Sequence, residues 1–362
     1  LYPISLYPAR LSQKPYNTRK LGQQSPITGA SNSMSQQDIH LTHNPLKDGK
    51  MPAIICFGEI LWDIFHDADE TREVLGGAPS NLCYFFNALQ TTQPALLISQ
   101  VGDDALGARA LAQIAALNIA HIIPVSSTLP TGRVDILIKN NEPEYRFNTP
   151  AAWDAIPFPH SEKIPENSIS MIAFGSLASR GVAAMPEEAA PESSFETLKK
   201  LLNAHPNATR FLDLNLRAPH FEESRIVALL KYADILKINE TEFAWLKSHF
   251  ALTALSTRDA LFALITKLSL NLVILTLGEN GSIVMSPTDY SALSAKRVDL
   301  VNTVGAGDSF AAGFLSAINH GANFQAAHRF ANDLSSYLCT QEGAFVEIPE
   351  SFRQKLATFS AW

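Results

Sequence analysis

The stretch Asn302-Thr303-Val304-Gly305-Ala306-Gly307-Asp308 leads directly into Ser309-Phe310-Ala311-Ala312-Gly313-Phe314-Leu315. A turn of small residues therefore opens an apolar helix, and the carboxylate of Asp308 falls in its first turn. Gly305, Ala306 and Gly307 carry no side chain large enough to shield their N–H groups, and the positive end of the helix dipole lies at the same point. That combination makes an anion hole. An acid beside such a hole is poorly suited to be the bound anion. It reads better as a base that takes a proton from a hydroxyl while the amides hold the phosphoryl group under attack. The competing reading is a plain helix cap. A dinucleotide fingerprint fails, because Phe310 stands at the third glycine and the loop lies near the C-terminus.

Other residue groups gather at the ends of apolar runs. Gly76-Gly77-Ala78-Pro79-Ser80-Asn81 precedes a helix, and Asn81 could bond a sugar hydroxyl or merely cap that helix. Asp63 can accept two hydrogen bonds from a polyol, or be an exposed loop acid. Asp213, Asn215 and Arg217 alternate with apolar residues, which puts them on one face of a strand end. Asn239 and Glu242 open a helix. Glu242 could orient waters on Mg²⁺, which keeps much of its hydration, or be an ordinary first-turn acid. Thr276-Leu277-Gly278-Glu279-Asn280-Gly281 looks like a tight hairpin whose glycines let a nucleotide approach the backbone.

These residues need a scaffold, and the apolar runs supply one. Ala53–Phe57, Ala95–Ile98, Met171–Phe174, Phe211–Leu214, Ile235–Ile238 and Leu272–Leu277 read as buried parallel strands. Helical spacing appears between several of them, at Leu82, Phe85, Phe86 and Leu89, and again after Asp308 as far as Gly321. A further helix carries Ala327, Phe330, Ala331, Leu334 and Tyr337. The alternation predicts an α/β fold: a doubly wound, mostly parallel sheet with helices on both faces and ligands beyond the strands' carboxyl ends. Residues 131–148 depart from it. Val134, Ile136 and Ile138 alternate with Asp135, Leu137 and Lys139, Asn140-Asn141 make a turn, and Tyr145-Arg146-Phe147 resume the alternation. This hairpin, with the region of about 60–75, is expected to form a small β lid that brings Arg146 towards the ligand.

Bulk properties narrow the partners. The chain of 362 residues is 17% charged and 46% hydrophobic, an ordinary globular composition. Net charge is −7; the first 50 residues hold six basic side chains against two acidic ones, so the remainder carries −11. That balance argues against a nucleic-acid surface. No apolar run is long enough to span a membrane, and the histidines show no zinc-site spacing. Cys56, Cys83 and Cys339 are isolated, as suits a reducing, cytoplasmic setting. Residues 1–50, rich in Ser, Gln, Asn, Pro and Thr, are expected to be disordered, with Met34 or Met51 as alternative starts. Their basic composition also has a faint likeness to a transit peptide.

Taken in order, these motifs resemble the ribokinase/PfkB family of carbohydrate kinases across roughly Ile54 to Ile348. The turn at 76–81 and the Thr-Val-Gly-Ala-Gly-Asp loop at 303–308 carry the likeness. The resemblance implies a sugar kinase domain over 51–362 that uses ATP and Mg²⁺. It implies Asp308 as catalytic base, with Gly305, Ala306 and Gly307 as the hole for the transferred group. Asn239 and Glu242 would manage Mg²⁺ and phosphates. Thr276, Gly278, Gly281 and Asn332 would bind the nucleotide, and Asp63, Gly77 and Asn81 the sugar. The stretches at 58–63 and 175–177 look most like fructokinases, which implies fructose to fructose 6-phosphate. A 2-keto-3-deoxygluconate kinase, a ribokinase, a nucleoside kinase and a non-catalytic binding protein are the alternatives. A homodimer paired through the lid is compatible with the same likeness. Asn302 departs from the family's usual Asp, a residue that often helps bind an activating monovalent cation, so potassium activation is expected to be weak or absent.

Overall fold

Every residue of Ala53–Phe57 is buried, as befits a strand covered by helices on both faces. The computed structural model describes residues 53–66, 71–89, 93–139, 142–159, 164, 169–181, 193–218 and 220–359. The segment 1–50 and the Asn140-Asn141 turn lie outside them. Its strands are β1 (Ala53–Phe57), β2 (Leu61–His66), β3 (Thr71–Gly76), β4 (Ala95–Ile98), β5 (Val101–Gly102), β6 (Ala120–Ile122), β7 (Val125–Ser126) and β8 (Gly132–Lys139). They continue with β9 (Glu142–Phe147), β10 (Ile169–Gly175), β11 (Thr209–Asp213), β12 (Ile235–Asn239), β13 (Leu272–Thr276), β14 (Ser282–Met285) and β15 (Tyr290–Leu293). The helices are α1 (Ala78–Ala88), α2 (Ala105–Ala116), α3 (Ser194–Ala204), α4 (Glu223–Tyr232), α5 (Glu240–His249), α6 (Thr257–Leu268), α7 (Ala306–Asn319), α8 (Phe324–Leu338) and α9 (Glu350–Phe359).

The main sheet runs β15-β14-β13-β12-β11-β10-β1-β4-β6. It is parallel from β6 to β13, and β14 and β15 are antiparallel. The chain starts in the middle at β1, builds outward to β6, then returns to β10 on the other side of β1. Connections therefore leave β1 and β10 in opposite directions, and the gap beyond their carboxyl ends is where such sheets bind ligands. Side chains of β1 alternate between two cores. Ile55 and Phe57 join Leu201, Leu229 and Leu264 of α3, α4 and α6, whereas Ile54 and Cys56 join Phe85, Phe314 and Phe330 of α1, α7 and α8. The antiparallel pair β14–β15 extends beyond the six strands read from the sequence.

A second sheet, β3-β2-β8-β9, is built from the region 61–76 and the 132–147 hairpin. A buried ion pair ties its base to the main sheet. Arg180, just after β10, gives Asp154 two hydrogen bonds of 2.8 Å, donates to the Asn148 carbonyl at 3.1 Å and lies over the Trp153 ring. Burial pushes the Asp154 carboxyl up even against this guanidinium, a sign of how much desolvation the pair must offset. Asp154→Ala leaves Arg180 buried and unpaired. Chemical denaturation should show a loss of about 3–5 kcal/mol; a loss below about 1 kcal/mol would show that the pair does not hold the second sheet in place.

Candidate active site

Helix α7 starts after Gly305, whose φ of 77° is a left-handed conformation that glycine adopts without strain. The Ala306 N–H turns back to the Thr303 carbonyl at 3.1 Å. Of the three small residues, then, Ala306 is spent on the turn. An anion at the helix start would meet the N–H groups of Gly305, Gly307 and Asp308, which helix geometry leaves without intrahelical partners. Asp308 is 9% exposed. Asn81, in the first turn of α1, donates to its Oδ2 at 2.9 Å, so the two helix N-termini converge on one carboxylate.

A buried ammonium completes this centre. Asp213 and Lys237 are register partners on β11 and β12, and Lys237 Nζ lies 2.6 Å from Asp213 Oδ2. A Cβ added at Gly307 would come within 3.0 Å of the same Nζ, so the ammonium sits against the helix start. Burial alone would push Lys237 down, but Asp213 and Asp308 outweigh it and the lysine titrates above its ordinary value. Burial pushes Asp308 up to about 6, with Asp213 adding to the rise, while Lys237, Asn81 and Arg217 hold it down.

On the other side stands Asp63, carried by β2. It belongs to a strand and is mostly buried, not an exposed loop acid; a Cβ at Gly76 would lie 3.0 Å from its Oδ2. Burial raises it to about 6 against the opposing charges of Arg217 and Arg72. Gly77, at φ 114°, packs so closely on the Glu59 carbonyl that any Cβ would collide with it. Glu59 itself was not singled out from the sequence, where an acid after a strand has no signature. It is 2% exposed, and its Oε2 has no hydrogen-bond partner among the described residues. Burial pushes it up to about 7; the Ala78 N–H and Arg217 pull it down and Asp308 pushes it higher.

Two expectations need correction here. β11 ends at Asp213, and Asn215 adopts a left-handed φ of 42°. Asp213, Asn215 and Arg217 therefore do not share a strand face, although the Arg217 charge is felt at Glu59, Asp63 and Asp308. Arg146 is not brought to Asp63. The register aligns Asp63 with Val134 and Phe147, and Ile64 with Asp135 and Arg146. Neighbouring rows of a sheet face opposite ways, so Arg146 lies on the face away from Asp63.

The remaining residues line up along β12 to β15. Asn239 caps α5 by accepting the Glu242 N–H, and Glu242 accepts the Asn239 N–H, each at 2.9 Å. The second Glu242 oxygen accepts the Leu216 N–H at 2.9 Å, which ties the 213–217 segment to α5. Both Glu242 oxygens thus serve main-chain groups, and among the described residues no cluster of three or more His, Cys, Asp or Glu could hold a metal. Thr276 ends β13 opposite Asn239. Gly278 and Gly281 both have positive φ in the turn that follows, and a side chain at Gly281 would strike the Leu293 carbonyl. Asn332 donates to the Ser294 carbonyl at 3.3 Å. An open groove of about 590 Å³ runs here, lined by Leu293, Ser294, Lys296, Asn332, Lys355 and Phe359. His328, which the sequence reading also missed, is buried one turn before Asn332. It bridges the Ser282 and Ser291 hydroxyls at 2.8 and 2.7 Å, and burial lowers it to about 4, so it is neutral at ordinary pH.

The chain as a whole is similar to known proteins. The pfkB family carbohydrate kinase pattern covers residues 51–350, and the chain belongs to that family. It is 23% identical over 313 residues to an ATP-dependent 6-phosphofructokinase of Thermoanaerobacterium thermosaccharolyticum, covering 84% of this chain and 92% of that protein. It is 25% identical over 352 residues to a probable fructokinase-3 of Arabidopsis thaliana, covering 87% and 96%. Among solved structures, a double mutant of the Vibrio cholerae O395 fructokinase, with fructose, ADP and potassium ion bound, superposes with a TM-score of 0.66. That match has 22% identity over 85% of this chain and 99% of the other. The fold is thus ribokinase-like, a mostly parallel sheet between helical layers. No helix among the described residues is long and apolar enough to cross a membrane.

The Asp213–Lys237–Asp308 arrangement makes a direct prediction. Lys237→Met removes the positive charge between two carboxylates, so the Asp308 carboxyl, followed by ¹³C NMR, should titrate above its position in the parent protein. An unchanged titration would show that the ammonium does not govern it.

Proposed function

We propose that the protein transfers the γ-phosphoryl group of ATP to a primary hydroxyl of a sugar, with fructose as the preferred acceptor and fructose 6-phosphate as product. The observation that carries this reading is Asp308 itself. It is a buried carboxylate, oriented by Asn81 at 2.9 Å, at the helix start where main-chain N–H groups and the Lys237 ammonium meet. A structural helix cap needs neither the burial nor the ammonium.

In the proposed reaction the sugar hydroxyl gives its proton to the Asp308 carboxylate. Its oxygen bonds to the γ-phosphorus as the bond from that phosphorus to the bridging oxygen of ADP breaks. Phosphoryl transfer asks mainly for positioning and charge stabilisation. The Gly305, Gly307 and Asp308 N–H groups and the Lys237 ammonium supply that charge from fixed positions. Asp63, Gly77 and Asn81 orient the sugar, with Asn81 Oδ1, which has no partner among the described residues, as a further acceptor. Thr276, Gly278 and Gly281 hold the nucleotide at the end of β13, with Asn332 reaching it from the groove lining, and the β3-β2-β8-β9 sheet serves as a lid. Magnesium would be carried mainly on the phosphates, whose charge it would offset; Glu242, whose oxygens each keep a lone pair beyond their main-chain bonds, would hold its waters.

Fructose is favoured by the likeness of residues 58–63 and 175–177 to fructokinases and by relatives that bear that name. Two experiments test the reading. Asp308→Asn should lower kcat by about 10²–10⁴-fold with the fold intact by circular dichroism; turnover within a few-fold of the parent would remove Asp308 as the base. In an ADP-release assay over fructose, ribose, 2-keto-3-deoxygluconate and adenosine, fructose should give the highest kcat/KM. A higher value for another acceptor would reassign the substrate, and turnover of none would favour a binding role.

A further inference from the structure

Asn302 uses both ends of its amide to close the loop ahead of Gly305. Its Nδ2 donates to the Gly343 carbonyl at 2.9 Å, and its Oδ1 accepts the Val304 N–H at 2.9 Å. The N–H groups of Val301 and Asn302 both point at the Cys339 carbonyl, at 2.8 and 3.3 Å. Residues 301–304 are thereby bound to the segment that follows α8, and the turn that ends at Gly307 grows out of this anchored loop.

Consider the same loop with an acid at position 302, as the family usually has. A carboxylate has no donor, so one of its oxygens would face the Gly343 carbonyl oxygen across a hydrogen-bond distance. Two acceptors that close repel each other, and a cation between them turns the repulsion into attraction. Potassium is bound in the Vibrio cholerae fructokinase structure. In this chain the donor set does not fit such an ion. The group facing Gly343 is an N–H, whose partial positive charge would oppose a cation there, and the amide oxygen already accepts from Val304.

We infer that the Asn302 amide does, with hydrogen bonds, the work of a monovalent cation, so that the phosphate-facing loop of this kinase is held in place without one. A single nitrogen donor would then stand in for an ion such as the potassium bound in the Vibrio cholerae fructokinase structure. The activity arm of the test rests on the kinase reading above; the melting arm does not.

The parent protein and Asn302→Asp are compared in potassium chloride, sodium chloride and tetramethylammonium chloride at equal ionic strength. Initial rates are measured with ATP and fructose, and melting temperatures without substrate. The parent should vary by less than about twofold in rate, with no melting shift specific to potassium. Asn302→Asp should be slower in tetramethylammonium by about fivefold or more, recover in potassium, and melt higher as potassium is added, as a bound ligand requires. A parent activated about fivefold by potassium, or melting higher in it, would overturn the inference. So would a folded Asn302→Asp that responds to potassium in neither measurement. If that variant does not fold, the parent's own response decides. If neither protein turns over, the kinase reading fails and the melting comparison still decides this one.

Discussion

The site depends on keeping a carboxylate usable after it has been taken out of water. A buried acid protonates unless neighbouring charge and hydrogen bonds compensate. For Asp308 the compensation comes from three directions: the Lys237 ammonium, the Asn81 amide and the more distant Arg217. Asp213 acts in the opposite sense on Asp308, yet it also keeps Lys237 charged. The balance leaves Asp308 at about 6, ionised near neutrality but still basic enough to accept a proton. A carboxylate at its ordinary value would be a weaker base, and one left uncompensated would already be protonated.

The fold explains why these groups can meet although they come from distant parts of the sequence. Glu59 follows β1, Asp213 ends β11, Lys237 lies beside it two residues before the end of β12, and Asn81 and Asp308 lie in the first turns of α1 and α7. All lie at one edge because a parallel sheet sends every carboxyl end the same way, and the reversal of direction between β1 and β10 opens a gap there. The capping box of Asn239 and Glu242, with its extra bond to Leu216, fixes α5 against the segment after β11. His328, between two serines, does the same for the hairpin of β14 and β15. Neutral histidine suits that place, since a charged ring would be buried without a counter-ion.

Features encoded by adjacent residues were legible in the sequence. The loop at 302–308 and the turn at 76–81 each declare a helix start and its exposed amides within a few positions. The buried strands announce themselves by short, mostly apolar runs. What escaped depended on distant partners. Nothing local marks Glu59 as a buried acid beside Asp308, or Lys237 as the ammonium beside Gly307. Arg146 was misjudged because a period-two pattern identifies a strand without saying which face meets the ligand. The 213–217 stretch also read as extended, but Asn215 tolerates a left-handed backbone and turns the chain.

The pH dependence of kcat/KM bears most directly on a buried base tuned by its neighbours. Protonated Asp308 cannot accept the hydroxyl proton, so with fructose and ATP the value should fall about tenfold per pH unit below an apparent pKa near 6. It should level off above that point. A profile that stays flat down to about pH 4.5, near the ordinary carboxylate range, would mean that the proton leaves by another route and that Asp308 is not its acceptor.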